Sequence, residues 1–273
     1  MATGIRPRLA SLIGAALLAS CQQGAPAPAG DAVAAGPGDA ATLALLQARY
    51  GQPARLQGEW TQQLDDPGGE NARPVHRHVC ADRSIDAHGA RHRMLAICTA
   101  FGDAAPVEPG SSDFIVLRGN GDGRLDVAAE LLGHASGSGG RTGDVATAQA
   151  GADAWAFLID DELMVMGSVM RDRSLLLFDG GSTLVEAGWL RTHLDDRNAE
   201  ECDPAGRCTG GRLDLDFAAR FDDSQPQLAH WPLDVQETGN GCEGPVQRQH
   251  RIAYDPARSR YRIPSTLQLE GCN

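Results

Sequence analysis

Beyond residue 50 the apolar residues fall into short runs, most of them alternating, that are cut by turn residues. This pattern constrains the chain more than any other feature. A period of two sends successive side chains to opposite faces of a strand. The run FIVL at 114–117, a GNGDG turn at 119–123 and the return over 125–132 read as a hairpin. Asn and Gly supply the positive φ angles that such turns demand. A meander is expected next: up over 155–159, a turn at Asp160-Asp161-Glu162, down over 163–170, a turn at Arg171-Asp172-Arg173 and a strand over 175–178. Residues 184–190 suit helix or strand. LDLDF at 213–217 alternates cleanly, and 251–254 with 261–263 make a last hairpin.

Only residues 40–50 read as helix, with Leu43, Leu46 and Tyr50 on one stripe, Asp39 as N-cap and Gly51 as stop. The expected fold class is therefore all-β or mostly β. It takes the form of a disulfide-braced antiparallel sandwich or meander with one short N-terminal helix. Residues 40–273 form this body, as one domain or as two subdomains, 40–195 and 200–273. Residues 133–144 are rich in Gly and Ser and are expected to be mobile.

The N-terminus carries Arg6 and Arg8 ahead of an apolar run at 9–20, long enough for a signal segment and too short to span a bilayer. The run ends in Leu18-Ala19-Ser20-Cys21, which resembles the lipobox of bacterial lipoprotein precursors. The resemblance covers the first 21 residues only. It implies removal of residues 1–20 and acylation of Cys21, with palmitate or a similar chain as anchor. Gln22, where an aspartate favours retention in the inner membrane, implies the outer membrane, facing the periplasm. Residues 21–39 then form an Ala/Pro/Gly tether.

Six further cysteines, Cys80, Cys98, Cys202, Cys208, Cys242 and Cys272, make an even set in an exported chain. Nearest-neighbour bridges Cys80–Cys98, Cys202–Cys208 and Cys242–Cys272 are expected. No Cys-x-x-Cys occurs, which argues against a thioredoxin-type or zinc-ribbon site.

The formal charge is −12, and all 24 basic residues are arginine. Without lysine there is no Schiff-base or phosphate-loop chemistry of that residue. An acidic chain also argues against nucleic-acid binding. Without residues 1–20 the charge becomes −14, so the lipid, not electrostatics, must hold the membrane. A cationic protein or envelope component is the partner such a surface suits.

One segment departs from this balance. Residues 73–93 sum to +3 and hold His76, His78, His88 and His92. If 75–81 is a strand, His76, His78 and Cys80 share a face. A Cys80–Cys98 bridge would then bring His92 back towards them. Converging imidazoles suit Zn²⁺ or Cu²⁺, a basic patch suits an anion, and a solvated hairpin face suits neither. No cofactor is expected outside that metal alternative.

Other patterns are weaker. Residues 120–126 resemble part of a calcium loop but place Arg118 where its first aspartate belongs, so a plain turn is expected. Met164, Met166 and Met170 read as core filling. Ser168 or Ser182 with His193 and Asp195 could assemble a hydrolase site, though no nucleophile elbow is present. The expected role is a lipid-anchored, non-enzymatic binding or interaction module. A histidine-based metal-binding protein and an envelope hydrolase are the alternatives.

Overall fold

A computed structural model describes the backbone of residues 38–64, 73–120, 124–165, 167–202, 208–210 and 213–272. It describes their side chains other than those at 165, 200–202 and 208–210. Cys21 and the signal segment lie outside the described residues, as does the tether up to residue 37.

The body is mostly antiparallel β-sheet with one α-helix. The helix α1 (Asp39–Tyr50) buries Thr42, Leu46 and Tyr50, and ends at Gly51 with φ of 85°. Its N-cap is Gly38, not Asp39. The Asp39 carboxylate instead accepts from Arg93 Nη1 at 2.7 Å, because that buried guanidinium needs anionic partners.

Five strands follow in sequence order in one sheet: β1 (Trp60–Leu64), β2 (Arg73–Ala87), β3 (Ala90–Phe101), β4 (Gly110–Gly119) and β5 (Leu125–Ser136). Strands β3 and β4 are buried on both faces, which is why MLAI and FIVL read as continuous apolar runs. On one face Leu95, Ile97, Ile115 and Leu117 lie towards the layer of Leu45, Leu46, Tyr50 and Trp60. On the other, Met94, Ala96, Phe114 and Val116 meet Trp155, Phe157, Ile159, Leu176 and Phe178.

Those last residues belong to a second sheet. It holds β6 (Asp144–Gln149), β7 (Trp155–Val165), β8 (Ser168–Phe178), β9 (Val185–Asp195), β12 (Asp214–Phe221), β13 (Leu233–Gly241) and β14 (Gly244–Ile252), again in sequence order. A ribbon of β10 (Glu200–Cys202) and β11 (Cys208–Gly210) leaves the sheet between β9 and β12. The ambiguous segment before residue 190 is thus strand. Leu194 pairs with Leu215, so β9 and β12 are neighbours in this sheet on either side of residues 195–200. The second face of this sheet packs Leu175, Leu177, Leu190, Leu215, Phe217 and Val235 with Tyr261 and Leu267 of the C-terminal segment. That segment contains β15 (Tyr254–Asp255), β16 (Arg260–Tyr261) and a 3₁₀ turn at Ser265–Leu267.

Cys80–Cys98 and Cys242–Cys272 are bridged. Cys202 and Cys208 face each other in register, with side chains outside the described set.

Two readings of the sequence are corrected. Asp160-Asp161-Glu162 and Arg171-Asp172-Arg173 are not turns but strand residues, opposite one another in register on β7 and β8. Arg173 grips Asp160 at 2.6 and 2.7 Å, and Arg171 meets Glu162 at 2.6 Å. Cross-strand charge pairing makes the strand tolerable where an isolated acidic triplet would favour a turn. The Gly/Ser-rich stretch is also pinned, not loose. Phe101 N–H donates to Gly140 O, and Gly140 N–H to Glu108 O, at 2.9 and 2.7 Å. A Cβ on Gly140 would sit 2.5 Å from the Phe101 carbonyl oxygen, so glycine serves close backbone approach there.

Candidate functional site

The site starts from β2 and β3. Their register puts His76 opposite Ala100 and His78 opposite Cys98, then shifts between Val79 and Ala81. Cys80 is the extra residue of that bulge, and its bridge to Cys98 holds both strands in place. His76, His78, Val79 and Cys80 all line one groove of about 870 Å³. The opposite wall comes from residues 139–145, the pinned glycine-rich stretch, with Arg141 and Asp144; Glu59, just before β1, contributes a carboxylate.

His76 Nδ1 lies 2.9 Å from Glu59 Oε1. An ionised carboxylate only accepts, so Nδ1 is the donor and the ring is oriented by Glu59. His78, Arg141 and Asp144 form no side-chain hydrogen bond or ion pair among the described residues. The groove therefore offers an oriented imidazole, a second imidazole, one free guanidinium and one free carboxylate. Such a mixture suits a polar ligand with charges of both signs.

His88 and His92 do not join them. Ile85, not His76 or His78, faces His92 across the hairpin, because β2 is 15 residues long and folds back only at His88-Gly89. Seven residues of strand separate His78 from Ile85, about 23 Å at the usual rise per residue. His88 has φ of 52° in the turn. Both rings meet Phe178 edge-on, at 5.6 and 5.2 Å. Burial holds the His92 imidazole below its ordinary value, and Arg118 and His88 push the same way, against the raising effect of its bond to the Ala90 carbonyl. This pair works in packing. Among the described residues no three His, Cys, Asp or Glu side chains come together as metal ligands would, so the Zn²⁺ or Cu²⁺ alternative gains no geometry.

The other candidates also separate. His193 binds Asp216 at 2.8 Å. Asp195 is pulled down to about 2 by its hydrogen bond from Arg197. Neither hydrogen-bonds Ser168, although Asp195 pairs with its neighbour Val169 across β8–β9. Met164 is exposed, Met170 packs against the core from another strand, and Met166 lies outside the described residues. Asn120 closes the β4–β5 turn with its N–H on Arg124 O at 2.8 Å. Sequence reasoning missed Glu59, Arg141 and Asp144, since nothing in a linear chain shows that 139–145 folds back on β2. No known family model, curated protein or solved structure matches the chain.

Proposed function

We propose that the chain is a non-enzymatic binding module of a bacterial cell envelope, anchored through an acylated Cys21 in the outer membrane, facing the periplasm. The observation that carries the reading is the His76/His78 groove. It has a disulfide-braced floor, a wall fixed by backbone hydrogen bonds, and the unpaired charged side chains of Arg141 and Asp144 in its lining. Rigid placement of polar groups lowers the entropy lost on binding, which is what a recognition site needs. The partner that fits is a cationic protein or envelope component, steered by the acidic body and presenting both signs of charge to the groove.

A photo-crosslinking residue at 78 or 144 tests this in cells producing the full chain. Discrete adducts from these positions, and none from position 248 on β14, are expected. Equal adducts at 248, or none at the groove, would count against the reading. For the anchor, a fatty-acid analogue should label the wild type and leave Cys21→Ser unlabelled.

A further inference from the structure

We infer that the cleft where the C-terminal hairpin crosses β9 is a second binding site, for a saccharide bearing a carboxylate or phosphate. The cleft has a volume of about 510 Å³ and is lined by Trp189, Asp255, Arg258, Arg260, Arg262 and Gln268, among others. That size suits a small ligand. It is independent of the His76/His78 groove.

Three arginines in five residues meet one aspartate here, a local +2 in a chain of −12. Elsewhere the buried guanidiniums are matched by acceptors of their own. Here Arg262 takes Asp255 at 3.2 Å, while Arg258 and Arg260 form no ion pair or side-chain hydrogen bond. Ser259 between them has φ of 52°, a left-handed conformation that β-turn chemistry seldom asks of serine. It folds the chain so that both neighbours line one cleft. Asp255 lies opposite Arg260 in register and acts on Arg258 by charge alone, so the planar donors of both guanidiniums stay available to a carboxylate or phosphate.

The second feature is Trp189. It is 37 % exposed, whereas the other three tryptophans are 8 % exposed or less. Its carbonyl accepts from Gln268 at 2.8 Å, and the Arg191 guanidinium lies 5.6 Å from its ring. Beside it Gly188, with φ of 134°, leaves room for Ile263, whose Cδ1 would be 2.7 Å from an added Cβ. The hairpin is therefore seated firmly against the strand that carries the indole. A held, exposed indole offers a flat apolar surface with a polar rim, which suits the C–H face of a sugar ring. Guanidiniums beside it supply the anionic recognition. An anionic membrane surface is a poorer occupant, because the acidic remainder of the body would be repelled by it.

The test uses the full-length protein in detergent. Acrylamide quenching of tryptophan fluorescence reports the exposed Trp189. Glucuronate and glucose 6-phosphate should protect it saturably, and glucose should not. Arg258→Gln/Arg260→Gln should weaken the protection about tenfold, the loss expected for removed charge-assisted bonds. Both side chains are exposed and make no side-chain hydrogen bond, so the melting temperature of this variant should match wild type. Four results would overturn the inference: no saturable protection, equal protection by glucose, protection unchanged in the double variant, or equal protection by inorganic phosphate or phosphatidylglycerol vesicles.

Discussion

The buried guanidiniums are each held by more than one acceptor. Arg93 meets Asp82 through two nitrogens at 2.7 and 2.6 Å, and also Asp39 and the Thr42 hydroxyl. Arg191 spans Asp172 and the Leu269 carbonyl, joining the C-terminal segment to β8 and β9. A planar fork can satisfy acceptors on separate elements, where an ammonium acts as a point charge. His230 is the contrary case. Its ring stacks on Tyr254 at 3.8 Å, yet its Nε2 is buried without a hydrogen-bond partner. Burial holds its pKa below the ordinary value, with Asp179 pulling weakly the other way. A histidine depressed in the folded state stays neutral there, while the unfolded chain takes up a proton below about pH 6.5. Its contribution to stability is thus present above that pH and lost as pH falls towards the folded value. His230→Phe keeps the stack and removes the orphaned nitrogen. Urea unfolding should show it more stable by about 0.5–1 kcal/mol at pH 7. The fall in stability from pH 7 to 5 should be smaller than in wild type. A steeper fall would mean that His230 is protonated in the folded protein.

At the scale of elements, legibility followed burial. Strands β3 and β4 announce themselves as MLAI and FIVL because two layers cover them, and β8 does so through LLLF at 175–178. The helix is legible from its stripe and its glycine stop, and its cap is not, because the claim of Arg93 on Asp39 comes from 54 residues away. The same blindness hid the charged strands. An acidic triplet followed eleven residues later by an Arg-Asp-Arg triplet reads as two turns until the register sets them opposite each other. The groove divides likewise. His76 and His78 on one face follow from alternation, whereas the misplacement of His92 follows from a hairpin tip one cannot locate by composition. Glu59, Arg141 and Asp144 have no local signature, since a solvated charge and a ligand-facing charge look alike in sequence.

Among the described residues the two large sheets are built from neighbours in sequence, and only the β10–β11 ribbon interrupts the order. Antiparallel neighbours need short connections, so the sheets themselves need few long crossings. The C-terminal segment is different. It runs back from β14 across β9, placing Tyr261 and Leu267 in the core, with the Tyr261 hydroxyl donating to the Trp231 carbonyl at 2.9 Å. Its far end is tied by Cys272 to Cys242, at the β13–β14 turn, across 30 residues. Closing a loop of that length restricts the unfolded chain by about 3–4 kcal/mol. The Cys80–Cys98 bridge, across 18 residues, should contribute a similar amount on the same grounds, but it joins strands that hydrogen bonds already align. The two bridges should therefore differ in where they act, not in size. In Cys242→Ser/Cys272→Ser the urea midpoint should fall, and amide exchange should quicken selectively over 254–269 and at the Trp189 cleft, while β2 and β3 keep their protection. In Cys80→Ser/Cys98→Ser the exchange should quicken around the bulge at Cys80 and leave the C-terminal segment as it was. Uniform quickening in both variants would show that the bridges act only through the unfolded chain and that the C-terminal segment is held by its core residues alone.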